Sequence, residues 1–347
     1  MIVAGFFECD LRRNDMYNYI RVHAKRNDKD TAAAADCFGL DIAIMGNHFL
    51  GDCMKKYFHG ENRSGQYFEG WYFKCQTRDG RSLALIPAVH IREDGQRSAS
   101  IQVITQNRAW WLEYPASSFA ASGNSLCILI GGNCFSEEGL LLDVEREGIS
   151  LRGRVNFGAF QSLKSDIMGP FRWLINMECA HSVISMGHTL QGQLELNGQT
   201  LNLSGGTGYI EADRGRSFPA CYLWTQCMWN SCSLMLSIAA IPFGKIHFTG
   251  CICAIILNGQ EYRIATYRGA KIETWSDQGA VLCQGKCRLE IQLLEQEAQP
   301  LRAPSDGDMN RTVHESLCAR VRYRFWRGEE LLLDHTDAHA CFEYAKR

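Results

Sequence analysis

The sequence predicts an all-β protein built as two tandem antiparallel β-barrel domains with few short helices. Three observations carry that expectation. Apolar and polar residues alternate with a period of two over many short runs, while helical periodicity is weak throughout. Glycine is frequent and proline scarce, 32 against 7, as short strands joined by tight turns require. The same series of strand motifs also occurs twice in the same order.

The individual elements follow from these patterns. Tyr67, Glu69, Trp71 and Phe73 alternate with Phe68, Gly70, Tyr72 and Lys74, so Glu69 and Trp71 share one face of a strand. Asp79-Gly80 and Asn197-Gly198 are hairpin signals. Strand-like runs lie at Ser82–Arg92, Ser100–Thr105, Trp110–Tyr114, Leu126–Ile130, Leu140–Val144 and Ile149–Phe157. The repeat is visible at a distance. Trp71 precedes Ser82-Leu83-Ala84-Leu85-Ile86 as Trp224 precedes Ser233-Leu234-Met235-Leu236-Ser237, which pairs Trp71 with Trp224. Asn197-Gly198 followed by Gly208-Tyr209-Ile210-Glu211 likewise resembles Arg327-Gly328 followed by Ala340-Cys341-Phe342-Glu343. Residues 1–53 show no strand period and read as a poorly ordered or dispensable extension; the expected domains are 54–212 and 213–347. Each is long enough to close a barrel of roughly eight strands, a size that holds one small ligand.

Composition limits the partners. The chain has 347 residues, 46% of them hydrophobic, enough for two ordinary cores. Lys+Arg 36 against Asp+Glu 38 lacks the basic surplus that nucleic-acid phosphates demand, so no nucleic-acid partner is expected. The longest nearly apolar stretches, Ser125–Phe135 and Ser231–Phe243, are too short to span a bilayer, and no secretory signal opens the chain. The expectation is a cytoplasmic protein with reduced thiols and at most transient contact with a membrane surface. Among 16 cysteines, Cys227-x4-Cys232, Cys251-x-Cys253 and Cys283-x3-Cys287 lack the paired spacing of a zinc site, so no metal is expected. A phosphate loop, a nucleophile elbow and a dinucleotide fingerprint are all missing from the sequence.

Several polar residues stand out against this background. Glu211-Ala212-Asp213 sets two carboxylates on one face of an extended strand, where a raised pKa would make a general acid. The match of Glu211 to Glu343 gives Glu211 a structural reading and leaves Asp213 as the first candidate acid; a solvated turn over Asp213–Arg216 is the alternative. Glu69, a charge in an aromatic strand, is the second candidate, with a strand-end carboxylate paired to arginine as its alternative. Glu178 and His181 add a carboxylate and a base, although in a regular strand they point oppositely and would need a bulge to meet. Tyr222, Trp224 and Gln226 share a face, and Trp71 and Trp173 are further aromatics able to line a pocket or simply to fill a core.

These strings resemble the tocopherol cyclase family: Tyr67-Phe68-Glu69-Gly70-Trp71-Tyr72-Phe73-Lys74, then Asn176-Met177-Glu178-Cys179-Ala180-His181-Ser182, then Gly208-Tyr209-Ile210-Glu211-x-Asp213-x-Gly215-x-Ser217-Phe218-Pro219. Tyr222-Leu223-Trp224-Thr225-Gln226-Cys227 extends the last, and the resemblance spans about Tyr57 to Tyr344. It implies two lipocalin-like barrels in tandem, related in fold to carotenoid 1,2-hydratases, that bind hydrophobic molecules and act on alkenes without a metal or redox cofactor. The family reaction would be cyclisation of a prenylated hydroquinone: a carboxylic acid protonates the alkene, and the phenolic oxygen closes on the cation. Chemistry and spacing then suggest Asp213 or Glu69 as acid and Glu178 or His181 as the group that orients or deprotonates the phenol. Trp71, Trp173 and Trp224 would shield the cation, with Tyr222 and Gln226 on the head group. Residues 1–53 fit a transit peptide poorly, so the chain reads as bacterial in type, with a quinone, terpenoid or polyketide as plausible a substrate as a tocopherol precursor. A non-catalytic carrier of a hydrophobic small molecule is the alternative function, and a duplicated structural protein the third.

Overall fold

The computed structural model describes residues 57–173, 177–243 and 246–346, with the backbone alone at Trp173, Pro242, Phe243, Ile246 and His247. The expected extension over residues 1–53 therefore lies outside the described residues. Among the described residues, two antiparallel sheets and three short 3-10 segments make up the regular structure. The first sheet holds β1 (Tyr67–Gln76), β2 (Ser82–Ile91), β3 (Arg97–Thr105), β4 (Ala109–Pro115), β5 (Phe119–Ala121), β6 (Cys127–Ile130), β7 (Asn133–Ser136), β8 (Gly139–Arg146), β9 (Ile149–Phe157), β10 (Cys179–Leu196), β11 (Gln199–Asn202) and β12 (Thr207–Gly215). The second holds β13 (Cys221–Trp229), β14 (Cys232–Phe243), β15 (Ile246–Leu257), β16 (Gln260–Ala265), β17 (Lys271–Ser276), β18 (Gly279–Gln284), β19 (Cys287–Glu295), β20 (Gln299–Ser305), β21 (Asp308–Arg327) and β22 (Glu330–Lys346).

Both sheets follow one plan. A four-stranded meander, β1–β4 or β13–β16, is joined through its first strand to the last strand of the same sheet, β12 or β22, and the sheet then runs back through the earlier strands. This is the structural form of the sequence repeat. Each sheet wraps its own apolar cluster, around Phe73, Leu85, Phe135 and Ile210 in the first and around Leu223, Leu236, Tyr323 and Phe342 in the second. The chain is thus two tandem lipocalin-like antiparallel barrels. The expected runs at Ser82 to Phe157 all appear as strands. Asn197 and Gly198 take φ of 49° and 79°, the pair of positive angles that a two-residue hairpin turn needs.

A third cluster lies between the barrels. Successive strand residues point to opposite faces, so β1 sends Trp71, Phe73 and Cys75 into its own barrel and Tyr72 towards the other. β13 does the same with Leu223 and Cys227 inward and Tyr222, Trp224 and Met228 at the junction. Both strands are buried on both faces, which explains their long aromatic and aliphatic runs.

The pairing register corrects one detail of the repeat. Tyr72 stands opposite Glu211 on β12, and Trp224 stands opposite Glu343 on β22. The counterpart of Trp224 is therefore Tyr72, not Trp71, whose place is taken in the second barrel by Leu223. A shift of one residue reverses every side chain in a strand, so matching indole to indole puts Trp71 on the wrong face.

The link between barrels is strapped to the turn joining β20 to β21. Gly307 N donates to Arg216 O (2.8 Å), Phe218 N to Pro304 O (3.1 Å) and Asp306 N to Ser217 Oγ (2.7 Å). The link between β12 and β13 is thereby tied to the second sheet.

Candidate active site at the barrel junction

A cavity of about 170 Å³ lies between the outward faces of β1, β2 and β12 and those of β13–β15 and β20–β22. Small residues create it: Gly70 and Ala88 from the first barrel, Ala239 and Gly250 from the second, all in its wall. A side chain at Gly70 would meet Ala88 at 3.4 Å. The volume is room for on the order of ten waters at ~15 Å³ each, and most of the wall is apolar or aromatic.

One corner is polar. Glu211 on β12 is buried, and its Oε2 accepts hydrogen bonds from Tyr209 Oη (2.5 Å) and Trp224 Nε1 (3.2 Å). Both donors use the same oxygen, so Oε1 is the one free to carry a proton. Burial pushes this carboxyl up, and the nearby His181 charge with the two hydrogen bonds restrains it at about 7. His181 on β10 places Nδ1 3.0 Å from Asp213 Oδ1 and Nε2 3.5 Å from Glu211 Oε2, the latter without hydrogen-bond alignment. Burial disfavours its cation, yet Asp213 and Glu211 outweigh that and hold it up to about 9. At neutral pH the corner thus holds an imidazolium between two acidic groups, one of which keeps its proton for part of the time. Cys179 Sγ completes it, 3.4 Å from Asp213 Oδ1.

His181, Glu211 and Asp213 also form a set whose ligand atoms lie within 4.8 Å of one another, and they could hold a metal ion. A metal needs one ring nitrogen without its proton. The observed ring has a carboxylate oxygen at each nitrogen, which suits the doubly protonated form.

The candidates from sequence fall in different places. Asp213, His181, Tyr222 and Trp224 line the cavity. Gln226 is buried at the same junction and accepts from Lys74 Nζ (3.2 Å). Glu69 lies elsewhere, near the start of β1 and outside the cavity wall, where its carboxylate accepts from His59 N (2.8 Å), Gly60 N (3.1 Å) and Tyr67 Oη (2.8 Å) and pairs with His59 Nδ1. Trp71 is 1% exposed in the first barrel's core. Glu178 is 3.5 Å from Arg216 Nη2 and does not meet His181; its carbonyl accepts from Arg216 N (2.8 Å) and Ser217 N (3.2 Å). Trp173 ends a 3-10 turn, and its side chain lies outside the described residues. Among the described residues, all cysteines are free thiols.

Sequence reasoning set Glu211 aside and overlooked Tyr72, Tyr209 and Glu315. The signal for Tyr209 and Glu211 was present: at steps of two they share one strand face with Asp213. All three motif strings, from β1, β10 and β12, converge on this cavity.

No protein-family model and no curated protein sequence matches the chain. Solved structures do. CghA in complex with Sch210972 is 8% identical, with a TM-score of 0.52 over 81% of this chain and 88% of that one. Kievitone hydratase from Nectria haematococca is 9% identical, with a TM-score of 0.46 over 82% and 90%. A Nitrosomonas europaea chain described as an AttH is 13% identical, with a TM-score of 0.49 over 83% and 94%. At these identities the likeness concerns the fold, which this chain shares with CghA. Among the described residues, no helix is long and apolar enough to cross a membrane.

Proposed function

We propose that the protein is a hydratase- or cyclase-type enzyme that protonates an alkene of a neutral hydrophobic substrate held between the barrels. The observation that carries this reading is Glu211: a buried carboxyl with a pKa of about 7, both donors on Oε2 and an apolar cavity at hand. A general acid works best when its pKa lies near the working pH. Proton transfer from Oε1 to an alkene carbon leaves a carboxylate that Tyr209, Trp224 and the His181 cation already stabilise. The carbocation formed faces the rings of Tyr72 and Trp224, whose centroids are 5.4 Å apart in an edge-on pair. Asp213 then serves to hold His181 charged and oriented, a positioning role in place of the acid role expected from spacing.

The substrate we favour is a prenylated quinol or other isoprenoid-type molecule, in keeping with the motif resemblance and the apolar wall. CghA, which shares the fold, is solved with Sch210972, and this supports a small-molecule ligand for the present chain. A carrier would use the same apolar cavity but has no need of a buried acid beside a buried imidazolium.

The test is incubation with a lipid extract, with converted and retained compounds followed by mass spectrometry. Glu211→Gln should lower conversion 10²–10⁴-fold, the usual contribution of a general acid, while retention of the ligand persists. Asp213→Asn should lower it less and shift the pH profile. Conversion unchanged in Glu211→Gln would overturn the acid assignment, and retention without conversion by the unaltered protein would establish the carrier. Activity lost to a chelator and restored by a divalent ion would make the corner a metal site.

A further inference from the structure

The second barrel puts two more carboxyl groups on the cavity that the reaction above does not use. Glu315 on β21 and Glu343 on β22 are direct cross-strand partners, so their side chains leave the sheet on one face. Both line the cavity, at 2% and 7% exposure. Two carboxylates side by side in a buried site cannot both ionise at ordinary cost, so the pair holds at least one proton. Tyr72 Oη, reaching across from the first barrel, donates to Glu315 Oε1, and Tyr222 Oη donates to Glu343 Oε1. The nearby cations ease the charge on the pair from a distance, Lys74 on Glu315 and Arg311 on Glu343, while their hydrogen bonds go to neutral oxygens. Lys74 Nζ donates to Gln226 Oε1 and His339 O, and Arg311 donates to the carbonyls of Phe218, Pro219 and Ala220.

These groups close a ring around the cavity. Tyr72 is opposite Glu211 and Trp224 is opposite Glu343 in the strand register, and Glu343 is opposite Glu315. Across the junction Trp224 Nε1 donates to Glu211, while Tyr72 donates to Glu315. The proton donor and the carboxyl pair therefore sit on different barrels and face one space.

We infer that Glu315 and Glu343 act as one unit that binds a hydroxyl group of the substrate, alcohol or phenol, and accepts its proton when that oxygen attacks the cation. The inference rests on Glu211 as the acid. The balance is closed: the alkene π pair takes the Glu211 proton to form a C–H bond, and a lone pair of the hydroxyl oxygen forms the C–O bond. The O–H bond then breaks with its proton passing to the pair, and exchange with solvent after product release returns a proton to Glu211. Nothing is oxidised or reduced. Both carboxyl groups line a mostly apolar cavity, so a hydroxyl carried in by a hydrophobic ligand meets them as its polar partners. The same pair disfavours an anionic substrate, which would add a third negative charge beside it.

The test uses the full-length protein. N-phenyl-1-naphthylamine bound in the cavity is displaced by farnesol, by the hydrocarbon farnesene and by the anion farnesoate. Farnesol should bind at least tenfold more tightly than either of the others. The preference should disappear in Glu315→Leu/Glu343→Leu and shrink in Glu343→Gln, which covers the case in which the double variant does not fold. It should persist in Glu211→Gln. With lipid extract, Glu315→Gln/Glu343→Gln should lower conversion at least a hundredfold, and product formed in H₂¹⁸O should carry no label. No hydroxyl preference in the unaltered protein, or a preference that survives both variants, overturns the inference. So does incorporation of the label. Conversion within twofold of normal in Glu315→Gln/Glu343→Gln, with Glu211→Gln inactive, removes the pair as acceptor and leaves the acid in place. No conversion by any protein, with the hydroxyl preference intact, overturns the reaction and keeps the recognition.

Discussion

Glu211 and Asp213 show what a single residue owes to its surroundings. They share a strand face two positions apart, a relation legible in the sequence. What differs is desolvation: the second barrel covers Glu211, and Trp224 of that barrel donates to it. No local pattern could report this, so spacing chose Asp213 and the structure brings Glu211 forward. The same burial makes stability depend on pH. Glu211 and Glu343 are held at about 7 against an ordinary 4.5, so the folded chain binds more protons than the unfolded one between those values. His181, held at about 9 against 6.5, extends this upward. In both cases the folded pKa is raised, so the stabilisation is complete below the unfolded value and is lost as pH rises through the folded one. Buried His90 and His188, pushed down to about 3 by desolvation, act in the opposite sense below about pH 6.5, so the thermal midpoint should fall chiefly from about pH 6.5 to 9, and Glu343→Gln should lessen the fall up to about pH 7 in calorimetric scans. A midpoint that rises steadily over this range would contradict the buried state of these groups.

At the scale of elements, the strands were the most readable feature. Period-two alternation and turn residues located the strands from β2 to β9 except the short β5 and β7, because both signals are local. The face of β1 was harder. With both sides buried, its alternation contrasts one apolar environment with another, and the repeat aligned Trp71 with Trp224 one residue out of register. Glycine on this strand has a specific use. At Gly70 a Cβ would touch Ala88 at 3.4 Å, ordinary contact, and any longer side chain would enter the cavity. Gly70→Leu should therefore keep the circular dichroism and thermal midpoint close to normal while lowering affinity for N-phenyl-1-naphthylamine at least tenfold, since it occupies space without breaking the ladder. By contrast, Gly215, at φ 156°, lies where a Cβ would fall 2.0 Å from Glu178 O. Gly215→Ala should separate the ends of β10 and β12 and lower the thermal midpoint by several degrees, a loss on the order of 1–3 kcal/mol.

The whole molecule is held by the cluster between the barrels. Tyr72, Ile104, Met186 and Tyr209 of the first barrel and Trp224, Met235, Ile252 and Leu317 of the second are buried in one shared cluster. Their continuous apolar face resembles a permanent interface more than a hinge. Cutting the chain at Ala220 should therefore give two fragments that co-purify when made together and resist separation by high salt, because burial of apolar surface is not screened. Either fragment alone should aggregate. Two soluble, independent barrels would show that the junction contributes little.

By itself the sequence determined the strand class, the turns, the duplication and the motif strings, since each is written in near-neighbour chemistry and period. It also placed His181, Asp213, Tyr222 and Trp224 among the residues of interest. Only the tertiary structure decided which carboxyl groups are buried and which aromatic faces meet. It also decided where a cavity remains, because those properties arise from the approach of strands more than a hundred residues apart: Tyr72 to Glu315, Tyr222 to Glu343, and Gly70 to Gly250 across one shared space.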